Sequence, residues 1–98
     1  MNGITLHKGD LPAGISFGSV VAVDTEAMGL NLQRDHLTLV QLSSGDGTAH
    51  LVQLTRDFDC PNLKKILTDP DVLKLFHFAR FDIAMMKKWM GIECAPVW

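Results

Sequence analysis

A mixed α/β domain on a single sheet, with a strand meander followed by α-β-α, is what three features of this 98-residue chain point to. The continuous apolar run SVVAVDT, residues 19–25, has the length of a strand and no helical period. Two alternating stretches, HLTLVQL (36–42) and HLVQL (50–54), flank SSGDGTA, whose Asp46-Gly47 is a strong hairpin signal. From Pro61 onward the apolar spacing turns helical, is interrupted by one more strand-like run, and turns helical again.

Size and composition bound the rest. Ninety-eight residues allow one domain, and 47% hydrophobic against 20% charged residues describe a folded one. Nine Lys+Arg against eleven Asp+Glu leave a net charge of −2, which excludes the basic footprint of a long-duplex binder. It is compatible with a short or single-stranded substrate held by metal ions and a few local cations. Cys60 and Cys94 stand far apart and outside any CxxC pair, so reduced thiols are expected. The N-terminus has no apolar signal core and no run of about 18 apolar residues occurs, so a soluble, cytoplasmic protein without a membrane partner is expected.

Taken in order, Ile4 to His7 is a short edge strand ended by Gly9-Asp10 and Leu11-Pro12. Ser19 to Thr25 is a strand apolar enough to be covered on both faces. Gly29 to Asp35 is a polar loop, followed by the hairpin strands His36–Leu42 and His50–Leu54. Pro61 to Leu67 is helical, with Pro61 in the first turn and Leu63, Ile66 and Leu67 on one face. Asp69-Pro70-Asp71 stops it. Val72 to Phe78 is strand-like. Phe81 to Met90 is an amphipathic helix that stacks Ile83, Met86 and Met90, turns Lys87 and Lys88 outward, and ends at Gly91. A Met-rich stripe of this kind packs a core. Pro96-Val97-Trp98 reads as the start of another strand.

The chemistry lies in three carboxylates. Residues i and i+2 of a strand face the same way about 6–7 Å apart, so Asp24 and Glu26 share a face at the carboxyl end of the most apolar strand. If the strand at 72–78 lies parallel to that at 19–25, Asp82, in the first turn of the next helix, arrives beside them, and a helix N-terminus favours its ionised form. Three converging carboxylates repel one another unless a cation lies between them. Oxygen-only ligation suits Mg²⁺ or Mn²⁺, and two such ions form the usual apparatus of phosphodiester hydrolysis.

Asp24-Thr25-Glu26, with Gly29-Leu30 behind it, resembles the first motif of the DEDD 3′–5′ exonucleases, whose core is RNase H-like. His77-Phe78-Ala79-Arg80-Phe81-Asp82 resembles their second motif in its ribonuclease D form, and LTLVQLSSGDGTAHLVQL is similar to the ribonuclease D hairpin. Within that superfamily the whole length is most similar to the compact nano-RNase C group, which degrades very short RNAs. The resemblance implies an RNase H-like exonuclease fold and a two-metal 3′–5′ exoribonuclease. Short single-stranded RNA or a dinucleotide would be cut to nucleoside 5′-monophosphates. Asp24 would then bind both ions, Glu26 one and Asp82 the other. Leu30 matches an apolar wedge between the terminal bases, and His77 and Phe81 match positions around the 3′-terminal nucleotide, with Thr25 beside them on the substrate. Arg80 reads equally as a phosphate contact or as a solvated cation at the helix start. A homo-oligomer is implied as well.

The resemblance also implies a third motif, a Tyr or His followed four residues later by a fourth Asp. These residues contain no Tyr, and Asp82 lies sixteen residues before Trp98. Residues 1–98 are therefore expected to be the N-terminal part of one exonuclease domain, truncated before its C-terminal helices and inactive by itself. Two other classes compete. A non-catalytic nucleic-acid-binding or assembly remnant would keep the fold without the carboxylate chemistry. A phospho-acceptor signalling domain gathers acids and Mg²⁺ at strand ends, but it needs an unbroken β/α alternation that the hairpin at Ser43–Thr48 interrupts.

Overall fold

The chain opens with β1 (Gly3–Lys8), whose alternate residues Ile4 and Leu6 stay exposed, as the edge position of this strand predicts. A computed structural model of the protein describes residues 3–27, 36–45, 47–76 and 79–97, with side chains in the last stretch from Asp82 onward. The other strands are β2 (Val20–Ala27), β3 (Leu37–Ser43), β4 (Thr48–Gln53) and β5 (Leu73–Leu75). They form one mixed sheet in the order β1-β4-β3-β2-β5. The antiparallel meander β2-β3-β4 is as expected. Its hairpin is closed by the Ser43 hydroxyl donating to the Thr48 carbonyl at 2.6 Å, with Gly45 and Gly47 at positive φ.

The pairing on which the chemistry depends is also present. β5 lies parallel to β2 through Val20–Leu73, Val21–Lys74 and Ala22–Leu75. Val97 bridges to Lys74 in the parallel sense, the beginning of a further strand where one was expected. The strand read at Val72–Phe78 is much shorter, because only three residues find partners on β2 and Phe76 has already left the ladder. His77 lies outside the described residues.

Helix α1 (Pro61–Thr68) and helix α2 (Ala79–Met85), which runs on into a π-helical turn at Met86–Met90, supply the rest of the core. Leu63, Leu67, Met85, Met86 and Met90 join Val21, Val23, Val40, Leu42 and Val52 in a single buried cluster. The expected straight helix over 81–90 therefore becomes a helix plus a wider turn. That widening lets the neighbours Met85 and Met86 both face inward together with Met90, while Lys87 and Lys88 stay outside. Gly91 ends it in the left-handed region at φ 70°.

One expectation fails. SVVAVDT reads as a strand covered on both faces, yet among the described residues only one face of β2 is covered. Val21 and Val23 are buried, whereas Val20 is 40% exposed and Ala22 is exposed too. Both helices feed the core cluster that contains Val21 and Val23, and among the described residues neither covers Val20 and Ala22. An apolar run specifies burial, but not which segment provides it.

Helix α1 begins without a local cap. Its N-cap residue, Cys60, makes no side-chain bond to the first turn. Asp10, just beyond β1, does this instead. Its carboxylate accepts the amides of Asn62 at 2.9 Å and Leu63 at 2.8 Å, and that of Leu11 at 2.8 Å. The Asn62 side chain answers by donating to the Leu11 carbonyl at 2.8 Å. A charged acceptor at a helix N-terminus satisfies orphan donors and complements the dipole. Asp10→Ala is therefore expected to cost about 1–3 kcal/mol in urea unfolding, and Asp10→Asn distinctly less. Equal stability of Asp10→Ala and the wild type would remove the cap from the account.

Cys60 and Cys94 are both free and buried, and burial pushes each thiol up from 9.0 to about 11. Between those values the unfolded chain has released thiol protons that the folded chain retains, so stability falls as pH rises from about 9 to 11. The limit is roughly 2–3 kcal/mol per thiol. Lys74 works in the opposite direction, since burial lowers its pKa below 10.5 and the unfolded chain then binds the extra proton. Replacing both cysteines by Ala should therefore remove most of the loss of stability between pH 9 and 11. Persistence of the full loss in that variant would assign it to other groups.

Candidate active site

Strand alternation and burial divide the carboxyl half of β2 between its two sides. Asp24 and Glu26 are exposed and lie on the open face with Val20 and Ala22. Thr25, half-buried, lies on the covered face with Val21 and Val23. Beyond Ala22 and Leu75 the ladder between β2 and β5 stops, so this end of β2 is paired only with β3 among the described residues. A register shift between Glu26 and Ala27 bends it further.

Asp82 arrives at this end from the first turn of α2 and is 5% exposed. Its contact is with the residue between the two acids: the Thr25 hydroxyl donates to Asp82 Oδ1 at 2.5 Å. The Asp24 carboxylate accepts the amide of Thr25 at 3.0 Å. Burial raises the pKa of Asp82, the Thr25 bond opposes that rise, and the negative charge of Asp24 adds to it. Asp24 and Asp82 are close enough to repel electrostatically.

Among the described residues no group of three or more His, Cys, Asp and Glu side chains forms a ready-made metal cluster, and no Lys or Arg is ion-paired with Asp24, Glu26 or Asp82. The donor chemistry nevertheless fits a hard divalent cation. It consists of oxygens only, carries net negative charge, and shows repulsion between Asp24 and Asp82 that no described cation relieves. The buried thiols of Cys60 and Cys94 offer no alternative ligand set.

Leu30 and His77 lie outside the described residues, as does the side chain of Phe81. A shallow depression of about 230 Å³ opens beside Asp24 on the uncovered face, lined also by Ala22, Gln41, Ser43 and Leu75. Gln41 sits opposite Asp24 in the β2–β3 register. Sequence reading passed over it, although a polar residue within an apolar hairpin strand and on the face of Asp24 was the available signal. A second depression of about 270 Å³, between residues 12–18 and α1, includes none of the three carboxylates.

The profile of a 3′-5′ exonuclease family matches residues 10–98. Ribonuclease D of Granulibacter bethesdensis is 36% identical over 77 residues, which make up 79% of this chain and 20% of that protein. Among solved structures, Brucella melitensis NrnC bound to pGG matches with a TM-score of 0.91 at 41% identity, covering 100% of this chain and 49% of that one. The same NrnC with bound Mg²⁺ gives 0.91 at 42%, again over 100% and 49%. Escherichia coli RNase D, an exoribonuclease involved in structured RNA processing, gives 0.66 at 25% identity over 82% of this chain and 21% of its own. The chain thus spans about half the length of NrnC and about a fifth of the ribonuclease D relatives. No helix among the described residues is long and apolar enough to cross a membrane. A five-stranded mixed sheet shared with these nucleases and a profile match over nearly all its residues lead to one conclusion: the chain belongs to the 3′-5′ exonuclease family.

Proposed function

We propose that the protein is a metal-dependent 3′–5′ exoribonuclease of short single-stranded RNA, down to dinucleotides, releasing nucleoside 5′-monophosphates. The observation that carries the reading is the parallel pairing of β2 with β5, which delivers buried Asp82 to the strand end bearing Asp24 and Glu26. Asp24, Glu26 and Asp82 would hold the metal, with Asp24 shared between two ions and Glu26 and Asp82 each serving one. Mg²⁺ or Mn²⁺ bound there would supply the Lewis acidity that hydrolysis of the terminal phosphodiester requires. Leu30, His77 and Phe81 belong to the binding of the terminal nucleotides.

The substrate class draws support from NrnC, whose structure holds pGG, and from a Trypanosoma brucei RNase D in complex with the RNA U12. The net charge of −2 suits a ligand with few phosphates, because a long polyanion would meet little compensating charge. A cytoplasmic site of action, where free Cys60 and Cys94 stay reduced, and a homo-oligomeric state belong to the same proposal.

The experiment is mononucleotide release from pGG with Mg²⁺, by the protein in the length its own reading frame encodes. Release that stops with EDTA and returns with added Mg²⁺ or Mn²⁺ is the expected result. Metal-independent release, or none at any metal concentration, rejects the assignment.

A further inference from the structure

We infer that Thr25 is a positioning residue: its hydroxyl, donated to Asp82 Oδ1, sets the orientation of that carboxylate for cation binding, in place of a contact with substrate. The inference rests on reading Asp24, Glu26 and Asp82 as the metal ligands. It goes further by assigning how a strand and a remote helix are brought into register at one centre.

Three observations converge on it. Thr25 occupies the covered side of β2, between two acids that occupy the open side, so alternation aims it at α2 and away from the open face. As a β-branched residue in a strand it has a stiff χ1, and its single donor therefore points in a defined direction. Asp82 is 5% exposed, and a buried carboxylate has little water to orient it. A hydroxyl has one proton to donate, and a proton committed to Asp82 is not available to a nucleotide. Hydrogen bonds that orient a ligating carboxylate are typically worth 10–100-fold in metal affinity.

The test is calorimetric titration of the intact protein with Mn²⁺ in the absence of nucleotide, alongside thermal unfolding without metal. Thr25→Val keeps the branched shape and removes the donor. It should bind Mn²⁺ about 10–100-fold more weakly. Thr25→Ser restores the donor and should recover most of the affinity. Thr25→Ala lacks the donor too and carries the expectation of the Val variant should that protein not fold. A substrate-contact role predicts the reverse: unchanged Mn²⁺ affinity with a raised KM for pGG. Wild-type Mn²⁺ affinity in Thr25→Val or Thr25→Ala overturns the inference while leaving the metal centre intact. Absence of Mn²⁺ binding by the wild type removes the metal centre itself, and the inference falls with it.

Discussion

Asp24→Asn should reduce mononucleotide release from pGG by at least about 100-fold, the scale of losing one electrostatic contact at a reacting phosphate. The metal-free protein should meanwhile be as stable as the wild type or slightly more so. Two properties of the site produce this opposition. Asp24 is exposed at the end of β2, so its loss leaves no cavity. Its charge opposes ionisation of buried Asp82, so the neutral amide relieves repulsion that the apo fold otherwise bears. Divalent ions invert the balance. Added Mn²⁺ should raise the wild-type melting temperature, because a ligand that binds only the folded state stabilises it in proportion to ln(1 + [L]/Kd), and it should leave Asp24→Asn unmoved. Turnover and melting temperature, each measured with and without metal, make a four-way comparison. A variant that retains wild-type turnover refutes the assignment of Asp24.

The largest effect on stability should come from Lys74, a lysine with no exposed surface. It pairs with Val21 of β2 on the covered side of the sheet. Its ammonium donates to the Asp69 carbonyl at 2.6 Å, at the C-terminal cap of α1, and to the Ala95 carbonyl at 2.7 Å. The Lys74 amide meanwhile donates to the Pro96 carbonyl at 3.0 Å. One residue thus fastens the end of α1 and the segment leading into the strand at Val97, with its cation on the favourable end of the helix dipole. Lys74→Ala strips both carbonyls of their donor and empties the space of the stem, a loss of roughly 2–4 kcal/mol and about 10–25 °C in Tm for a chain this size. Lys74→Met fills the stem volume and isolates the contribution of the ammonium, so it should fall between Ala and wild type. If Lys74→Met proves at least as stable as the wild type, the desolvation of the ammonium exceeds the worth of its two bonds.

Much of this architecture was legible because it depends on local pattern. The Asp46-Gly47 hairpin, the apolar run at 19–25 and the Pro61 helix start each act over a few residues, and together they imply the sheet order found around β2. The parallel approach of Asp82 to β2 was legible through topology, since a crossover from one strand to its parallel neighbour returns the chain to the same edge. What escaped was set by partners remote in sequence. The length of β5 depends on how far β2 runs beside it, and the coverage of β2 on how many helices reach each face. The partnership of Thr25 with Asp82 spans 57 residues and needs both the strand face and the helix turn, which a spacing argument aimed at carboxylates does not supply. Leu30, His77 and the Phe81 side chain, which the nuclease resemblance places at the substrate, lie outside the described residues and stand as proposals.

The reach of Asp10 across to Asn62 and Leu63 has a kinetic consequence. Eight residues are too few for an isolated helix to persist in water, and the feature that satisfies the first turn of α1 comes from about fifty residues upstream. Residues 61–68 excised as a peptide should therefore be unstructured. During folding this helix should consolidate only once the N-terminal strand has docked on β4, placing a nominally local element on the late side of the barrier.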